Sequence, residues 1–283
     1  MGSILLHALT AILYLLLGVY FWRTRWRGSE AVGVAIWERF AVLLPFGLHS
    51  WLLYLDLFAS PELRFGFGHA LSVTLWLCVL VYWIESLFVN LQGMNAIVLP
   101  VAAVCAFLPA VFAGLATPVY AQHFEFRAHL AVAMAAYSLF TLAAMHALLM
   151  ALLERRLHGE SAGGSSKGSG LLGGPFANLP PLLTLETLLF RMLGIGFVLL
   201  SLTLISGVFF SEALFQQAFK FSHKTLFAVL SWLIFGALLA GRRLYGWRGR
   251  RALRWTLAGF LTLLLAYVGS RFVLEVVLNR SLG

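Results

Sequence analysis

The sequence predicts an all-α polytopic membrane protein: a bundle of about eight transmembrane helices with both termini on the outer, periplasmic side. Three observations carry this expectation. Of 283 residues, 61% are hydrophobic and only 11% charged, with a mean hydropathy of +0.91. A soluble domain carries roughly 25% charged residues, and this chain has too few polar side chains to cover itself. Apolar runs of about 20 residues recur from end to end, each able to cross a hydrocarbon core roughly 30 Å thick. Basic residues, finally, gather in alternate connections between those runs.

The expected spans are roughly 3–22, 36–56, 67–88, 93–115, 127–153, 185–210, 225–241 and 254–277. The first has no basic residues ahead of it and no small-residue cleavage site behind it, so it reads as a retained helix. An arginine-rich turn (Arg23, Arg25, Arg27) leads to the second, and Ser60-Pro61-Glu62 closes it. The third carries His69, Trp76 and Trp83 at intervals of seven, near one helical face. That stripe suits either a flat aromatic ligand or plain helix packing. Gln92-Gly93 and Thr117-Pro118 bracket the fourth. The fifth is small on one side (Ala128, Ala131, Ala135, Ala136, Ala143), which permits close helix approach or leaves ligand space. Residues 158–181, rich in Gly and Ser, read as a flexible cytoplasmic linker. The turn Gly246-Trp247-Arg248-Gly249 separates the last two spans. The whole chain, 1–283, reads as a single transmembrane domain.

Thirteen basic residues fall in the first, third, fifth and seventh connections, from Arg23 to Arg254. The other side holds Arg64, Arg127, Lys220, Lys224, Arg271 and Arg280. Excess Lys and Arg mark the cytoplasmic face, which places the chain across a bacterial inner (plasma) membrane. The net charge of +9 is then a topology signal and a contact with the lipid bilayer, and no nucleic-acid partner is expected. Cys78 and Cys105 lie inside apolar runs without CxxC or zinc spacing. There is no phosphate-binding glycine loop, no GxSxG and no HExxH. The residues argue for no enzyme.

Histidine in a span is costly to desolvate and usually faces the bundle interior. It is also the imidazole ligand of heme iron. Six of the eight histidines, His7, His49, His69, His123, His129 and His223, fall toward the outer half. His129 opens the fifth span and His223 precedes the seventh, so two imidazoles on different helices stand ready either to clasp one iron or to bond water and carbonyls at the interface. Few carboxylates are expected inside: Glu85 and Arg191 lie near inner helix ends, Arg271 and Glu275 form an i,i+4 pair, and Asp56 and Glu212 read as solvated.

Three stretches carry a resemblance: His129–Leu157 (HLAVAMAAYSLFTLAAMHALLMALLERRL), Leu179–Phe210 (LPPLLTLETLLFRMLGIGFVLLSLTLISGVFF), and Phe221–Glu275 with SHKTLFAVLSWLIFGALLAGRRLYGWRGRRALRWTLAGF at its centre. In these the chain resembles the cytochrome c assembly family of membrane proteins, the CcsA/HemX-like group, and within it the short YpjD-like branch. The resemblance implies non-covalent heme b with His129 and His223 as axial ligands to the iron. His49, His69 and Trp76 are weaker candidates, Arg127 and Lys224 are candidate partners for the propionates, and other cytochrome c biogenesis components are candidate partners of the protein. Heme-delivering members carry a tryptophan-rich WWD segment between flanking histidines. Here Ser211–Lys224 reads SEALFQQAFKFSHK, without Trp or Asp, so attachment of heme by this chain alone is not expected. The expectation is a heme-handling membrane protein; a small-solute or ion transporter and a non-catalytic assembly or scaffold subunit are the alternatives.

Overall fold

In the computed structural model, residues 2–26, 35–58, 65–89, 91–112, 114, 123–162, 182–215 and 223–269 are described. They form helices α1 (Gly2–Phe21), α2 (Ile36–Ala41), α3 (Leu43–Leu57), α4 (Phe67–Phe88), α5 (Asn95–Val111), α6 (Phe124–Ala162), α7 (Leu182–Phe215), α8 (His223–Tyr245) and α9 (Gly249–Leu264). Single π turns extend α1 through Trp26 and α9 through Gly269. Among the described residues there is no β-strand.

Six segments are long and apolar enough to cross a membrane: Ile4–Trp26, Ile36–Leu57, Phe67–Phe88, Phe124–Arg155, Leu182–Phe209 and Lys224–Tyr245. These match six of the eight expected spans. The expected fourth span is the shorter α5, 17 residues with Pro100 and Pro109 inside. The eighth is described only through Gly269, and its arginine-rich start sets α9 apart from the apolar six. The second span is broken at Val42 into α2 and α3. Pro45 explains the break, because its ring clashes with the carbonyl four residues back, that of Ala41, and it lacks the N–H to close the turn. Helix α6 runs on to Ala162, so the first residues of the expected 158–181 linker are helical; residues 163–181 lie outside the described residues.

The core is built around α6, which packs on α4, α7 and α9. Ala136 and Ala143 are fully buried while Ala131 is exposed, so the small residues of this helix serve close packing. The rings of Phe140 on α6 and Phe235 on α8 stack at 3.9 Å and 10°. Helix α1 packs chiefly against α5, with Gly18 pressed on the proline ring of α5: a β-carbon at Gly18 would come within 2.8 Å of Pro100 Cδ. That ring cannot swing aside. Gly18→Ala is therefore expected to destabilise the protein by about 1–3 kcal/mol, read as a lower melting temperature in detergent.

The helices alternate in direction, so the bundle has two distinct ends. One, the histidine end, gathers the starts of α1, α4, α6 and α8 with the ends of α3, α5 and α7. The other, the basic end, carries the arginine turns.

Candidate functional site

His129 lies in the second turn of α6 at the histidine end, half-buried. Its Nδ1 is 2.7 Å from Ser206 Oγ on α7. Ser206 Oγ also bonds the Thr203 carbonyl oxygen, at 3.1 Å. A hydroxyl has one proton, and a carbonyl can only accept. Either placement of that proton ties the His129 ring to α7 through Ser206. An outer partner that holds Nδ1–H is the usual arrangement behind a metal-ligating imidazole. Gly207 lies against the same ring, since a β-carbon there would be 3.6 Å from His129 Cε1.

His223 is the first residue of α8; its side chain lies outside the described residues. The backbone level follows from the Phe140–Phe235 stack. His129 precedes Phe140 by eleven residues and His223 precedes Phe235 by twelve. At the helical rise of about 1.5 Å per residue, these offsets are about 16.5 Å and about 18 Å. The two helices run in the same direction, so the two backbone positions stand at about the same level. Arg127, two residues before His129, is exposed, and Lys224 is half-exposed.

His49 and His69 belong to a different cluster, built by α1, α3 and α4. His49 is buried, with Nε2 at 2.8 Å from Ser72 Oγ and Nδ1 at 3.4 Å from the Tyr14 hydroxyl. One carboxylate oxygen of Asp56 meets two imidazoles, 3.2 Å from His7 Nε2 and 3.7 Å from His69 Nε2. The expectation of a solvated Asp56 is thus corrected: its side chain is only 21% exposed because two buried histidines close over it. Sequence reasoning missed this carboxylate and Tyr14, although polar groups at matching depths on three apolar helices were the available signal. Ser72→Ala would strand His49 Nε2 in the core. The expected cost is about 1–3 kcal/mol, checked by thermal unfolding against the wild type.

The tryptophan stripe of α4 is occupied by packing. Trp76 stacks on Phe46 at 5.3 Å and donates to Ser50 Oγ at 2.8 Å. Trp83, toward the basic end, donates to the Arg39 carbonyl oxygen at 2.9 Å. Trp232 likewise donates to Ser201 Oγ at 2.8 Å and stacks on Phe197.

The basic end holds two carboxylates that the sequence reading did not place inside. Glu38 is 4% exposed and pairs with Arg25, itself 1% exposed. It also accepts from the Tyr20 hydroxyl at 2.8 Å and the Ala35 N–H at 3.3 Å. Glu186 bridges Arg242 and Arg248. Glu85 feels the charge of Arg191, whereas Arg271 and Glu275 lie outside the described residues, as does the side chain of Glu212. Among the described residues no three His, Cys, Asp or Glu side chains are grouped to hold a bare metal ion.

Fold and site together define a multi-pass helical membrane protein with histidines buried or half-buried at one end and arginine–glutamate pairs at the other. A model of the family described as "Cytochrome C assembly protein" matches residues 44–278. The chain belongs to this family of cytochrome c assembly membrane proteins. It is similar to the inner membrane protein YpjD of Escherichia coli (strain K12), at 27% identity over 209 residues, 72% of this chain and 73% of that one. A 28.8 kDa protein of Azospirillum brasilense is 27% identical over 284 residues, 99% of this chain and 100% of that one. The cytochrome c biogenesis protein CcsA of Prochlorococcus marinus (strain MIT 9215) is 38% identical over 89 residues, 31% of this chain and 29% of that protein. No solved structure matches the chain significantly.

Proposed function

We propose that this protein is a heme-binding member of the cytochrome c assembly family in the bacterial inner membrane, holding heme b non-covalently between His129 and His223. The observation that carries the reading is the shared level of these two positions on α6 and α8, inside the segment that matches the family. The donor set fits the group. Imidazole ligates heme iron, and the hydrogen bond between His129 Nδ1 and Ser206 Oγ is the kind of outer contact that orients a metal-ligating ring.

Heme would supply a redox-active iron in a planar, apolar macrocycle. What the chain supplies is orientation and burial. Ser206 holds the rotation of His129, and Gly207 lets the ring lie against α7. Arg127 and Lys224, each next to a proposed ligand or within two residues of it, would pair with propionates by charge-assisted bonds. The basic end faces the cytoplasm by the positive-inside rule, which puts the histidine end and both termini at the periplasmic face. Without a WWD segment in Ser211–Lys224, the chain holds or passes on heme and does not attach it to an acceptor. It acts as a non-enzymatic component beside other cytochrome c biogenesis proteins.

The test is the heme content of the protein purified in mild detergent, beside a well-folded His129→Ala/His223→Ala variant. The reading expects b-type heme in the wild type and its loss in the variant. Equal heme in both would remove these two residues as ligands.

A further inference from the structure

The proposed heme site leaves the opposite end of the bundle unused, and that end carries an unbalanced charge. Arg242, Arg243, Arg248, Arg250, Arg251 and Arg254 crowd the end of α8, the turn and the start of α9. Two carboxylates answer them. Glu186 takes Arg242 and Arg248, and Glu154 takes Arg250 at 3.6 Å. Arg251 lies over the Trp247 ring at 5.4 Å. Arg243, Arg251 and Arg254 are exposed, and none of the three is in an ion pair among the described residues. Arg254 follows Arg250 by four residues and Arg251 by three, so like charges are stacked on one helical face. Such a cluster calls for an anion.

The same face of α9 says which kind. Its exposed positions run Arg250, Arg251, Arg254, Ala258, Leu261, Leu265, a single stripe at helical spacing. The stripe is cationic for its first two turns and apolar afterwards, with Leu261 at 61% and Leu265 at 47% exposure. From Arg254 to Leu265 the helix and its π turn advance about 16 Å, close to half of a hydrocarbon core roughly 30 Å thick. Trp247 and Trp255, at 5.3 Å from one another, mark the level of the headgroups, where aromatic belts form. Exposed Leu244 and Tyr245 flank the cluster on α8. A nucleic acid or an acidic peptide would use the arginines and leave the apolar half unexplained.

We propose that the α8–α9 hairpin is a binding site for an anionic phospholipid, its headgroup phosphate on Arg251 and Arg254 and an acyl chain along Ala258, Leu261 and Leu265. Headgroup attraction explains the arginines that no described carboxylate pairs, and the exposed Ala258 puts the smallest side chain of the stripe between Arg254 and Leu261. The site is independent of heme.

The experiment uses the full chain, delipidated in mild detergent and titrated with dioleoylphosphatidylglycerol or dioleoylphosphatidylcholine while thermal unfolding is followed. Phosphatidylglycerol is expected to raise the melting temperature by several degrees at concentrations where phosphatidylcholine does not. Two variants separate the halves of the site: Arg251→Gln/Arg254→Gln removes the free charges and leaves the glutamate-paired arginines, and Ala258→Phe blocks the track with every charge kept. Each is expected to weaken the response at least tenfold. Soluble glycerol phosphate should not substitute for the lipid. An equal response to both lipids, an unchanged response in both variants, or full replacement by glycerol phosphate would overturn the proposal. Should the arginine variant fail to fold, the comparison of Ala258→Phe with wild type decides it alone.

Discussion

Glu38→Ala is expected to cost about 3–5 kcal/mol, enough to leave much of the protein unfolded in detergent at ambient temperature. The carboxylate is 4% exposed and holds three partners: Arg25, the Tyr20 hydroxyl and the Ala35 N–H. Removing it breaks an ion pair whose guanidinium is 1% exposed, and breaking a buried pair is far more costly than losing a surface one. It also releases the first turn of α2 from the end of α1. The double replacement Arg25→Met/Glu38→Leu should recover most of the loss, because a buried pair exchanged for apolar side chains is often neutral. Chemical unfolding monitored by tryptophan fluorescence measures both. Equal instability of the single and double variants would show that volume, not charge, governs this end.

The second large effect is on heme. On the proposed reading, either single replacement, His129→Ala or His223→Ala, is expected to weaken heme retention and change its absorption spectrum. Free imidazole should restore the low-spin spectrum, since it supplies the missing nitrogen without altering the fold. Ser206→Ala is the subtler companion. It keeps both proposed ligands but withdraws the hydrogen bond that orients His129, and outer partners of this kind are worth about 10–100-fold in metal affinity. A Ser206→Ala protein with wild-type heme retention would show that the hydroxyl does not act on the ligand.

Much of the fold was legible because bilayer thickness translates directly into length of apolar sequence. That rule works for six spans. It is less informative at α5, whose two prolines and 17 residues give a short helix wedged against Gly18, and at the second span, where Pro45 divides one apolar run into α2 and α3. Hydropathy also assigns Arg25 to a loop, yet its guanidinium is buried on Glu38. Whether a charge at a helix end is solvated or paired depends on what the next helix brings to it, and that is tertiary information.

The candidate site divides the same way. His129 and His223 were visible as histidines near the outer ends of two spans, but their common level rests on the Phe140–Phe235 stack, which no spacing reveals. The cluster of His7, His49, His69 and Asp56 joins residues from three helices. Its members are unremarkable singly, and only the packing of α1 and α4 about α3 turns them into a network. Trp76 shows the converse: an aromatic at a suggestive spacing that the fold engages with Phe46 and Ser50.

The most direct test of the central claim is a pyridine hemochrome measurement on the wild-type protein, purified from cells with an intact heme supply and again after reconstitution with hemin. The account predicts a b-type hemochrome near one heme per chain, with a low-spin Soret band that survives gel filtration. No retained heme in either preparation, from protein that is folded and monodisperse, would contradict it. The chain would then belong to the family without holding heme.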